Sequence, residues 1–191
     1  MSNESVLLAP RPDADTPPCA PLTCGFLTPS WPPQSASNGI VTYVGAMEHQ
    51  LRGLGHLPVA LTSKLTNAEH AGDHVITLRQ PHTIAGRFRN KVRRRLSANG
   101  TASPLNETAQ TLARPANNAR LVKPIDILEM EESFGLARHV APLVPFPVVV
   151  RLHGPWFLNG DALGMPRDEE FRQRVSAERE AIAAAAGVSS P

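Results

Sequence analysis

The 191-residue chain holds only two cysteines, has almost no excess of charge, and contains no apolar run near the roughly 18 to 20 residues that a spanning helix needs. Each shortage excludes a class. Cys19 and Cys24 are too few and too close together for a disulfide framework, and C-x4-C alone is a poor metal motif, so reduced thiols are expected. The N-terminus is polar and acidic where a signal peptide requires basic residues followed by a long apolar stretch. A cytoplasmic location is therefore expected, and the Asn-x-Ser/Thr matches at Asn3, Asn99 and Asn106 carry no weight. With 19 basic and 17 acidic residues, the net charge of +2 implies no particular partner. Also missing are the G-x-G-x-x-G and G-x-x-x-x-G-K-[ST] phosphate loops, the G-x-S-x-G elbow and the H-E-x-x-H metal helix.

What is present is the composition of a soluble globular domain, 41% hydrophobic. Prolines crowd the start, eight of nineteen falling before Gln34, and residues 1–20 read as a Pro-rich flexible tail ahead of a domain at 21–191. "TCGFLT" (Thr23 to Thr28) reads as a strand that breaks at Pro29, Pro32 and Pro33. Ile40, Tyr43, Val44, Met47, Leu51 and Leu54 recur at helical spacing, with Asn38 as N-cap and Gly55 as stop. "LPVALT" from Leu57 and "HVITL" from His74 are short strands, and Thr83 to Arg120 carries one helix and a possible second around Asn106 to Arg114. "IDILEME" (Ile125 to Glu131) is a strand, Phe134 to Val140 a short helix, and "PVVVRL" (Pro147 to Leu152) a strand without alternation, which requires burial on both faces. Asp168 to Ala186 is a helix, and Val188 to Ser190 begins another strand. Alternating strands and helices predict a three-layer, Rossmann-like α/β domain with a mostly parallel sheet.

Ligands of such sheets gather at the carboxyl ends of the strands, which selects three loops. The first ends in Asn38 and Gly39 at a helix start, where free N–H groups and the helix dipole favour an anion; a plain glycine turn fits the spacing equally well. The second is Glu131, Glu132 and Ser133. The third, "RLHGPW", delivers His153 between Arg151 and Gly154 from an apolar strand. That imidazole either contacts a substrate hydroxyl or phosphate and moves a proton, or hydrogen-bonds a neighbouring loop backbone. Glu178 falls on the inward stripe of the last helix with Phe171, Val175 and Ile182, and an inward carboxylate needs a partner. The loop of Arg151 and His153 is one candidate partner, and an intrahelical pair with Arg174 or Arg179 is the other. The run "RFRNKVRRR" places Arg87, Arg89, Lys91, Arg93, Arg94 and Arg95 on one segment. It is a solvated surface or a peripheral contact with anionic lipid, without the aromatics of a specific nucleic-acid reader.

Five segments in order, "FLTPSWPPQSASNGIVTYV", "LRGLGHLPVALT", "DILEMEESFG", "PVVVRLHGPWF" and "SAEREAIAAAAGVSSP", resemble the N-terminal half of family 4 glycosyltransferases, retaining enzymes of the GT-B fold. The resemblance runs from about Thr23 to Pro191. It implies a domain that binds the acceptor, in an enzyme that moves a sugar from a nucleotide-sugar donor to a hydroxyl acceptor, without a resident metal or other cofactor. His153 would line the cleft at the reacting sugar. Asn38 and Gly39 would face the donor phosphates or the acceptor, and Glu131, Glu132, Ser133, Arg151 and Gly154 would lie on the substrate side, with Glu178 in support.

The family's second domain, with its E-x7-E element and the basic residues that meet the leaving diphosphate, has no counterpart in these residues. The expectation is accordingly one half of a cleft, inactive without a C-terminal domain: a truncated product, a fragment or a subunit of a split enzyme. A half-enzyme should also show an apolar patch near the cleft. The alternative is a non-catalytic Rossmann-like binding or scaffolding module. A stand-alone Rossmann-like enzyme of another class is disfavoured by the absent phosphate fingerprint and nucleophile set.

Overall fold

The computed structural model describes residues 20–35, 37–66, 69, 74–78, 110 and 124–190. Residues 1–19 of the expected tail, the helical segment expected over Thr83 to Arg120 apart from Gln110, and the basic run Arg87 to Arg95 lie outside the described residues. In chain order the elements are β1 (Thr23–Thr28), a 3-10 turn (Pro33–Ser35), α1 (Gly39–Gly53), β2 (Leu57–Thr62), β3 (Val75–Thr77) and β4 (Ile127–Glu131). Two further 3-10 turns (Ser133–Gly135 and Ala141–Leu143) flank α2 (Ala137–Val140), followed by β5 (Val148–Arg151), α3 (Trp156–Asn159), α4 (Glu169–Ala184) and β6 (Gly187–Ser189).

The strands form one sheet in the order β3-β2-β1-β4-β5-β6. Every pairing is parallel, so all the described strands end at the same edge. The chain works outward from β1 to β3, returns to β4 beside β1, and works outward again. The order therefore reverses between β1 and β4, the place where doubly wound sheets open a crevice.

Two apolar layers follow from strand alternation. On one face Cys24, Phe26, Ala60 and Ile127 meet Ile40, Tyr43, Val44, Met47 and Leu51 of α1. On the other, Leu61, Leu128, Met130, Val148 and Val150 meet Ala137 and Val140 of α2 and Ala181 of α4. Burying a side chain such as Val150, fully enclosed here, contributes about 1.5–3 kcal/mol. The apolar run of β5 is thus buried on the α4 face, while Val149 and Arg151 are half-buried on the α1 face.

Side chains set the helix starts. Asn38 Oδ1 accepts the amides of Ile40 (2.9 Å) and Val41 (3.3 Å), and Asp168 Oδ1 accepts that of Phe171 (2.9 Å). Asn38→Ala should lower stability by about 1 kcal/mol in urea denaturation, with Asn38→Asp restoring it. Equal midpoints for all three proteins would show that α1 does not depend on its cap.

Three boundaries differ from the sequence pattern. Pairing of β4 begins at Ile127 because Asp126 turns its carboxylate to the Thr23 amide, at 2.7 Å. The expected helix from Phe134 to Val140 is broken at its start, where Phe134 (φ 59) and Gly135 (φ 66) are left-handed. Gly135 lies against α4 so closely that a Cβ would run into the Ala177 carbonyl, and this packing overrides the helical spacing. A short helix, α3, follows His153 where only a turn is expected.

Candidate functional site

At the carboxyl edge the loop leaving β4 holds the loop leaving β5. Glu132 is only 3% exposed, and its carboxylate accepts the His153 amide on Oε2 and the Gly154 amide on Oε1, both at 2.9 Å. Glu178 of α4, 1% exposed, accepts the Trp156 amide on Oε2 at 2.9 Å, while its Oε1 takes Arg174 Nε at 3.3 Å. Both partners weighed for Glu178 in the sequence are therefore engaged, one on each oxygen. Leu152 donates its amide to the Ser189 carbonyl at 2.9 Å, and Pro155 has none to give. Every main-chain donor from 152 to 156 thus points inward. The turn offers a ligand side chains rather than N–H groups.

The His153 side chain meets Tyr43 of α1 edge to face, with ring centroids 5.2 Å apart. Arg151 lies over the same ring, its guanidinium carbon 4.6 Å from the centroid. The Tyr43 hydroxyl donates to Glu129 Oε1 at 2.8 Å, and Ser189 Oγ donates to Glu129 Oε2 at 3.2 Å. Helix α1 thereby positions an aromatic platform under the two candidate residues of β5 and its loop.

Burial, followed by the hydrogen bond to Glu129, pushes the Tyr43 phenol up to about 12, so it remains a donor through neutral pH. Burial also holds the His153 imidazole below the ordinary histidine range, with Arg151 acting in the same direction and Glu132 and Glu129 opposing. His153 is accordingly neutral at pH 7, one ring nitrogen able to donate and the other to accept. Burial raises Glu131 above the usual carboxylate range; its Oε2 accepts Ser133 Oγ at 3.2 Å, and Arg174 is the cation that opposes the rise. Arg174 lies 4.0 Å from the Trp156 ring centroid and 4.6 Å from that of Phe134, which ties α4 to both loops.

The fold thus gathers Arg151, His153, Gly154, Glu131, Glu132, Ser133 and Glu178 at adjoining strand ends, but their duties differ. Glu132 and Glu178 are buried and committed to main-chain amides, and the Asn38 oxygen is committed to its helix. Gly39 is exposed, with open space around its Cα. Tyr43, Glu129 and Ser189 are the contributors that sequence reasoning missed. Tyr43 passes as one more member of an apolar stripe; Glu129, an acid between Leu128 and Met130 inside β4, is the signal that a partner had to exist.

Phe134, Leu158 and Leu163, on segments that leave this edge, are 59%, 63% and 68% exposed. No helix among the described residues is long and apolar enough to cross a membrane. Comparison with known protein families, curated proteins and solved structures finds no match for this chain.

Proposed function

We propose that this chain is the acceptor-side domain of a retaining glycosyltransferase with a GT-B architecture, acting with a donor-binding domain to move a sugar from a nucleotide-sugar to a hydroxyl. The observation that carries the proposal is the held position of His153. A neutral imidazole stands at the carboxyl edge of an all-parallel sheet, its amide locked by Glu132 and its ring against Tyr43. The reaction breaks the bond between sugar and diphosphate, forms one to the acceptor oxygen and releases the acceptor's proton. In that setting His153 hydrogen-bonds a hydroxyl at the reacting sugar and fixes its orientation, which is the part of catalysis that positioning supplies. The exposed Phe134, Leu158 and Leu163 fit a second surface closing over this edge. The donor's phosphates would be met chiefly from that second domain, because the turn at 152–156 has no amide to offer.

The test joins the chain with a donor-binding domain carrying an E-x7-E element, encoded in the same or a neighbouring reading frame, and follows nucleoside diphosphate release from a panel of nucleotide-sugars. Turnover is expected, and His153→Ala should lower it by about 100-fold. Wild-type turnover in the variant would remove His153 from the mechanism. Sugar or nucleotide binding without any turnover would favour the non-catalytic module.

A further inference from the structure

We infer that Arg151 is a receptor for an oxyanion on the ligand, a phosphoryl or carboxylate group seated above Tyr43 and beside His153. The sugar-transfer reading enters only in calling that ligand the acceptor. Arg151 ends β5 on the α1 face, half-buried, and its Nε is buried without a hydrogen-bond partner. A buried guanidinium donor left unmade is costly, and no partner for it stands among the described residues.

Three carboxylates lie on the neighbouring strand β4 and the loop that leaves it, and none is paired with Arg151 among the described residues. Glu129 receives the Tyr43 and Ser189 hydroxyls. Glu131 is the register partner of Arg151 across the β4 and β5 pairing, yet it accepts from Ser133 and has Arg174 as its cation. Glu132 accepts the His153 and Gly154 amides, one on each oxygen. An arginine at a strand end would ordinarily find one of three such neighbours. Here the Tyr43 face supports the guanidinium plane instead, and the hydroxyl bond to Glu129 keeps that face in place. A planar fork held flat, with no carboxylate partner among the described residues, is suited to two oxygens of one anion. The neutral His153 ring next to it adds a hydrogen bond without a competing charge.

Tyr43 is the chain's single tyrosine, so isotope-labelled tyrosine gives one reporter at the site. Inorganic phosphate and, separately, acetate would be titrated into the unmodified chain against chloride at matched ionic strength, and the Tyr43 ring resonances followed by NMR. A saturable shift with phosphate or acetate, absent with chloride, is expected; the stronger of the two identifies a phosphorylated or a carboxylated ligand. Arg151→Gln should weaken that binding by at least about tenfold, and Arg151→Lys, which keeps the charge and loses the fork, by less. Should Arg151→Gln fail to fold, as judged by circular dichroism, the lysine variant and the chloride comparison still decide. Identical titrations in the wild type and Arg151→Lys, or no shift beyond that of chloride, would overturn the inference. No nucleotide-sugar is present in this experiment, so anion binding and sugar transfer fail or succeed separately.

Discussion

Glu132→Ala should destabilise the domain by about 2–6 kcal/mol, because the His153 and Gly154 amides would each lose a buried acceptor at a cost of about 1–3 kcal/mol. Against a total stability of about 5–15 kcal/mol for a typical domain, a loss near the upper end leaves much of the protein unfolded at ambient temperature. Urea denaturation followed by tryptophan fluorescence measures it. Glu132→Gln is the informative companion. Its amide oxygen can still accept one N–H while its NH2 group faces the other as a second donor, so roughly half the loss is expected. The ordering of wild type, glutamine and alanine reflects two bonds, one and none. An alanine variant with the wild-type midpoint would show that the turn is held by something other than this carboxylate.

Gly135→Ala is expected to cost about 2–5 kcal/mol, combining about 1–2 kcal/mol for a left-handed alanine with about 1–3 kcal/mol for forcing α4 away. The nearest obstruction is the main-chain carbonyl of Ala177, with the Ala177 Cβ also too close at 2.8 Å, so adding Ala177→Gly should restore only a minor part of the stability. Gly55→Ala separates the two contributions. Gly55 is also left-handed, at φ 84, but nothing lies within 4 Å of where its Cβ would stand, so only the conformational part applies. If the two alanine variants melt together, close packing between Gly135 and α4 contributes nothing measurable.

Much of the architecture was legible because local signals and burial agree. The stripe from Ile40 to Leu51, closed by Asn38 and followed by Gly55, became α1 within a residue or two. The unalternating valines became a strand, β5, second from the sheet edge and fully buried on one face only, and the order of elements predicted the parallel sheet. The register of Glu178 correctly required a partner, because a carboxylate on an inward face has few other ways to exist. What escaped was decided by neighbours distant in sequence. Phe134 and Gly135 carry a helix-compatible pattern, and only α4, some 40 residues on, makes a left-handed pair the better fit. Glu132 looks like the last acid of an acidic run until the loop after β5 places two amides 21 and 22 residues away within its reach. Tyr43 and Glu129 are 86 residues apart, and neither spacing nor composition connects them.

The inward-facing amides of residues 152 to 156 separate two responsibilities that are fused at many reactive centres. The backbone at His153 is held by carboxylates from another loop and another helix, so the mount does not depend on the imidazole, whose own contact with the fold is the Tyr43 ring. Position 153 is a socket whose mount and occupant are held by different groups. The same separation makes this edge a natural place for new specificities to arise, since a change of side chain at the socket leaves the bonds that hold its backbone in place.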